Sequence, residues 1–175
     1  MVASNPPRDY LIRYGVVPEV ARCQIVPGIS RPERGAAVVV QTHRGPQLGE
    51  VLGDLRAEAD NPPAFTVLRT ATATDLDQAR QQAEQSAAEF ADWTNRIAEW
   101  NLDLQLIDIE WTLDGSKRVL YVLNERGPEC TRLAIQAAAS GFGIIEVQPV
   151  GAEGLISQPE VSGGGCGTGG CGCSH

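Results

Sequence analysis

The chain has 175 residues, 42% of them apolar and 21% charged, which is the make-up of a folded globular chain and excludes wholesale disorder. No run of 18 apolar residues occurs, so no membrane-spanning helix is expected. Twenty-two acidic residues against 14 basic ones give a net charge of -8, which argues against a surface that grips phosphate backbone everywhere but leaves room for a local basic patch.

Taken in order, the first elements read as short strands. Tyr10 to Tyr14 is one, and Val20 to Val26 a second, closed by Pro27-Gly28. The valine-rich run over 35–44 and the run over 47–55 flank a Gly45-Pro46 break, the pattern of a hairpin. Several short strands within residues 10–56 predict a small β-barrel-like sheet. Residues 57–64 hold Asn61, Pro62 and Pro63 and read as a linker, and Phe65 to Thr70 is a further strand.

A long helix follows. Thr74 with Asp77 has the spacing of a capping box. Leu76, Ala79, Ala83, Ala87, Phe90, Trp93 or Thr94, Ile97 and Trp100 then recur in steps of three and four, one apolar stripe on a helix of about 26 residues, or about 39 Å. In the next strand Ile107, Ile109, Trp111 and Leu113 alternate with Asp108, Glu110 and Thr112, as on an edge strand with one wet face. Asp114-Gly115 marks a turn, with Asp114 and Lys117 placed to pair across it. Residues 118–123 are apolar on both faces, as in an interior strand. Glu129 to Ser140 fits a second helix stopped by Gly141, and residues 143–150 a last strand. The order β-α-β-β-α-β over 65–151 predicts a ferredoxin-like α+β unit, followed by a Gly/Cys-rich tail over 152–175.

The tail carries the chemistry. Cys166, Cys171, Cys173 and His175 place three sulfurs and an imidazole within ten residues, and the intervening glycines let a backbone wrap tightly. Thiolates with an imidazole suit zinc, and thiolates suit iron–sulfur clusters; a glycine-rich tail without metal is the other reading. Arg31, Arg34 and Arg44, with His43, are candidates to cluster at one end of the first strands and touch RNA phosphate or an acidic partner, or else are solvated loop residues. Asp108 and Glu110 form a carboxylate pair, more simply read as the wet face of an edge strand. Trp93, Trp100 and Trp111 fall on apolar stripes and are expected in the core. No phosphate-cradle or nucleophile-elbow motif is present, so no catalytic residue and no small-molecule substrate are predicted. The first residues, MVASNPPRDYL, lack a signal-peptide pattern, and a cytoplasmic location is expected.

Residues 38–51, VVVQTHRGPQLGEV, resemble a signature of the PSP-one C-terminal domain family, whose bacterial members include YaaT-like (RicT-like) proteins. Leu68-Arg69-Thr70-Ala71-Thr72 with Asp75 is similar to the family's entry to its helix, and Leu113-Asp114-Gly115-Ser116-Lys117 to its hairpin. Ile145-Glu146-Val147 resembles its last strand, and Cys166-Gly167 through Cys171 its cysteine segment. Residues 126–133 depart from the family's acidic-aromatic-arginine run, and Cys171-Gly172-Cys173 stands where the family has adjacent cysteines. The resemblance implies a non-enzymatic regulatory adaptor. It would work with other protein subunits, a ribonuclease complex among the candidates, in complexes that steer RNA processing and carry cysteine-bound iron–sulfur clusters. An RNA-binding module using the Arg-rich first strands is the alternative.

Overall fold

The computed structural model describes residues 8–58, 60–124 and 127–156. Five strands, β1 (Arg8–Tyr14), β2 (Glu19–Ile25), β3 (Ala37–Gln41), β4 (Pro46–Arg56) and β5 (Phe65–Thr70), close into a barrel in the order β1-β2-β5-β3-β4. Inward-facing residues alternate along each strand. Tyr10, Ile12, Cys23, Val38, Val40, Val51 and Val67 fill the interior. The strands approach closely where β4 passes β1. A Cβ on Gly49 would lie 2.6 Å from the Ile12 Cγ2 and 3.3 Å from the Val40 Cγ2, so only glycine fits.

The expected barrel is therefore present, but it takes in one strand more than the sequence suggested. β5 pairs parallel with β2 (Cys23 opposite Phe65) and antiparallel with β3 (Val38 opposite Thr70). In a ferredoxin-like unit this strand would instead be the first strand of the second sheet. Its parallel pairing with β2 closes the barrel and removes two edges.

Helix α1 (Ala73–Glu99) leads from β5 to the second sheet, which runs β6 (Gln105–Trp111), β7 (Lys117–Leu123), β8 (Ile144–Gly151) and β9 (Gly154–Leu155) in that spatial order. β6 and β7 form an antiparallel hairpin, and α2 (Pro128–Ala139) makes the crossover that lets β7 and β8 run parallel. β9, a two-residue strand, was not foreseen. The interior reading of β7 holds: Val119, Leu120, Tyr121 and Val122 are all fully buried. Leu106, Ile109, Leu120, Val122 and Val147 pack under Trp93, Ile97, Leu133 and Ala137 of the two helices. The opposite face, with Glu110, Tyr121, Glu146 and Gln148, looks at the barrel.

The start of α1 lies two residues earlier than the spacing suggested. Thr72 is the N-cap: its Oγ1 accepts from the Asp75 N–H at 3.3 Å, while the Asp75 carboxylate accepts from the Thr72 N–H at 2.7 Å. Arg69, at the end of β5, clamps the same carboxylate with both of its terminal nitrogens, one contact measuring 2.8 Å. That clamp selects Thr72-Asp75 over Thr74-Asp77. The second half of the apolar stripe is buried through Trp93 and Ile97, but Leu76, Ala83 and Ala87 of the first half are exposed.

Candidate functional site

The polar residues of the 38–51 run gather at the seam between barrel and sheet. β3 and β4 are joined by a tight turn in which Thr42 and Gly45 exchange backbone hydrogen bonds of 3.0 and 3.2 Å. Gly45 is needed there twice over. Its φ of +132° is costly for a side chain, and a Cβ would lie 3.1 Å from the Thr112 Cγ2 of the facing sheet. The Thr42 hydroxyl accepts from the Arg44 N–H at 3.1 Å and donates to Gln47 Oε1 at 2.7 Å. Gln47 Nε2 then donates to Glu110 Oε1 at 2.8 Å, across the seam.

Arg44 crosses the same seam. Its side chain is 1% exposed, pairs with Glu19 at the start of β2, and places Nε 3.6 Å from Glu146 Oε1 on β8. The guanidinium also faces the Tyr121 ring at 5.9 Å. Burial works against its charge, and the Glu19 and Glu146 carboxylates and Tyr121 outweigh that, so its pKa is raised. The Tyr121 hydroxyl donates to Glu110 Oε2 at 2.5 Å, and burial beside that carboxylate drives the phenol pKa far up. Lys117 Nζ pairs with Glu146 at 3.0 Å, not with Asp114 across the turn. Asp114 instead accepts from the Thr112 and Ser116 hydroxyls and from the Ser116 N–H, shaping the turn itself.

Of the residues singled out for partner or RNA contact, the structure divides what the sequence grouped. Arg31 and Arg34 are exposed in the segment before β3, whereas His43 and Arg44 follow β3, so the two pairs lie at opposite ends of that strand. His43 is exposed and tilts against the Phe65 ring with centroids 5.7 Å apart. Partial burial, and then the Arg44 charge, lower its pKa. Arg44 is enclosed, and its charge is used inside the molecule. The carboxylate pair also divides. Glu110, past a bulge after Leu106, lies in the seam, where it accepts three hydrogen bonds, while among the described residues Asp108 accepts only from the neighbouring Ile109 N–H at 2.7 Å. Neither Glu110 nor Gln47 was foreseen as a seam residue. Alternation predicts a wet Glu110, and only the packing of a second body against that face reverses it. Cys166, Cys171, Cys173 and His175 lie outside the described residues. Among the described residues no group of three His, Cys, Asp or Glu side chains is placed to hold a metal ion.

Residues 65–127 match the model of the PSP1 C-terminal conserved region, a span that starts on the last barrel strand and runs through α1, β6 and β7. The chain is also 25% identical over 122 residues to the "Stage 0 sporulation protein YaaT" of Bacillus subtilis (strain 168), covering 68% of this chain and 44% of that protein. The chain thus spans less than half the length of that relative. No solved structure matches at a significant level. No helix among the described residues is long and apolar enough to cross a membrane.

Proposed function

We propose that this chain is a non-enzymatic regulatory adaptor that works in the cytoplasm within a protein complex that steers RNA processing. The reading is carried by its likeness to the stage 0 sporulation protein together with the PSP1 match. The seam supports it: the signature's arginine, glycine and glutamine join two bodies into one platform, a role that serves display of surfaces to partners. On this reading Cys166, Cys171, Cys173 and His175 hold an iron–sulfur cluster or zinc, with a partner able to complete the ligand set. Bound metal would give the glycine-rich tail a fixed shape, because binding energy offsets chain entropy.

The test is purification of the full chain at native abundance from its own host, without air. Stoichiometric co-purifying subunits, and altered transcript processing when the chain is deleted, are the expected results. Metal analysis is run beside it on the native chain and on Cys171→Ser; iron or zinc at one equivalent or more, lost in the variant, is expected. A chain recovered alone, with transcript patterns unchanged on deletion, overturns the adaptor reading. Retention on RNA that weakens steeply with salt and disappears in Arg31→Ala/Arg34→Ala would replace it with direct RNA binding.

A further inference from the structure

We propose that the open edge of β6 is the docking site for an extended, basic segment of a partner protein, which adds to the sheet as a fifth strand. This deepens the adaptor reading and rests on it. Among the described residues β6 ends the sheet, hydrogen-bonded only to β7. Antiparallel partners alternate between pairs that exchange hydrogen bonds and pairs that do not. Thr112 N–H bonds the Lys117 carbonyl at 3.0 Å, so in the register Trp111–Arg118 and Ile109–Leu120 it is Trp111 and Ile109 that turn their backbone groups away from β7. The Asp108 carboxylate capping the Ile109 N–H at 2.7 Å agrees with that direction. An incoming strand would take over that donor and release Asp108.

The edge lies at the bottom of a crevice. One wall is the first half of α1, with Ala79, Ala83, Ala87 and Phe90; the other is the β1–β2 turn at Gly15 and Val16, with Leu48. Two adjoining depressions there measure about 210 and about 500 Å³. The alanines keep the helix wall low, which leaves width for a backbone. Ile107, thrown outward by the bulge, and Val16 are 40% and 47% exposed and offer apolar contacts to alternate side chains of a strand.

Charge decides between occupants. Of the six carboxylates on α1, Asp75, Asp77 and Glu89 are paired with Arg69, Arg80 and Arg118, while Glu84, Asp92 and Glu99 of α1 and Asp108 at the β6 edge make no ion pair among the described residues, which leaves this side of the molecule acidic. A second copy would bring the same acidic helix and the same Asp108 against the first. A basic strand meets complementary charge.

The test uses random pentadecapeptides displayed on phage and selected on the full chain at low salt, followed by synthetic peptides of the selected sequences. Selected peptides are expected to alternate apolar with Lys or Arg. They should bind at least tenfold more weakly to Ala83→Arg, whose exposed site leaves folding intact, and several-fold more weakly to Asp108→Asn. Amide exchange at Ile109 and Trp111 should slow on binding. Peptides that bind as well to Ala83→Arg, that lack the basic alternation, or that leave β6 exchange unchanged overturn the docking site, as does failure to select any. Concentration-dependent dimerisation abolished by Ala83→Arg overturns it in favour of a second copy. Partners that co-purify from cells equally with Ala83→Arg overturn the docking site and leave the adaptor reading standing. A chain that recovers no partner from cells, with the peptide signature intact, overturns the adaptor reading.

Discussion

The Arg44 Nε on the barrel turn stands 3.6 Å from the Glu146 carboxylate on β8, with Glu19 of β2 against the other end of the guanidinium. One enclosed cation therefore answers two carboxylates that belong to different sheets. Buried groups of this kind are worth little net against an apolar replacement of the whole set, but removal of one member leaves unpaired charge behind. Because Glu19 and Glu146 are 25% and 23% exposed and Glu146 keeps Lys117, Arg44→Met should cost up to about 3 kcal/mol in urea unfolding, below the cost for a fully enclosed set. Arg44→Met combined with Glu19→Gln and Glu146→Gln should recover part of that loss. An Arg44→Met chain as stable as the parent would show that the seam is hydrated and loose.

Barrel closure gives a sharper steric expectation. Gly49 has no room for a methyl group, with the Ile12 Cγ2 and the Arg13 carbonyl at 2.6 and 3.2 Å from its Cβ position, whereas nothing lies within 4 Å of the same position on Gly53 in the same strand. Gly49→Ala should lower stability by about 1–3 kcal/mol through forced strand separation. Gly53→Ala should be neutral or stabilising by up to about 1 kcal/mol, since alanine restricts the unfolded chain. Thermal melts of the two variants side by side check the pair; equal effects would place the tight contact elsewhere.

These two glycines and Arg44 also show where sequence reading reached and where it stopped. Apolar runs, continuous or alternating and bounded by turn residues, located every described strand but β9, because each of the others has at least one face that must avoid water. Local pattern is silent on which strand an isolated run such as Phe65–Thr70 will join, since pairing is decided by closure of the whole barrel. The same gap explains Glu110. Its alternation is that of a solvated residue, and only the barrel packed on that face, through Gln47 and Tyr121, makes it an internal acceptor. The exposed half of the α1 stripe is the converse case: the pattern is apolar, yet the described residues leave that face uncovered.

The helix entry predicts a pH dependence. Both Arg69 nitrogens, then the Thr72 N–H and hydroxyl, hold the Asp75 carboxylate in its charged form, well below its ordinary 3.8. A folded-state value below the unfolded one adds stability above about pH 4, and that stability drains away as pH falls toward the folded value. Because Arg69 is half exposed, the effect is reduced by solvent screening. Asp75→Asn should therefore be less stable than the parent at pH 7, and the gap should narrow steadily below pH 4. Urea midpoints measured from pH 7 to pH 2 decide it. A gap that is constant with pH would mean that Asp75 acts through shape alone.

Cysteine reactivity separates the barrel interior from the rest of the chain. Cys23 is fully buried among Tyr10, Val38 and Val67, and burial, with Asp9 nearby, pushes its thiol up to about 11. The thiolate is the reacting form, so both access and ionisation protect this site in the folded protein. In iodoacetamide labelling at pH 8 under reducing conditions, Cys23 should be modified at least tenfold more slowly than the partly exposed Cys130 at the start of α2. In denaturant the two should react alike. Peptide mass mapping over time reads both sites in one sample. Rapid labelling of Cys23 in the native chain would mean that the barrel opens at the β2–β5 pairing on the timescale of the reaction, and that the parallel pair closing it is the weakest seam of the fold.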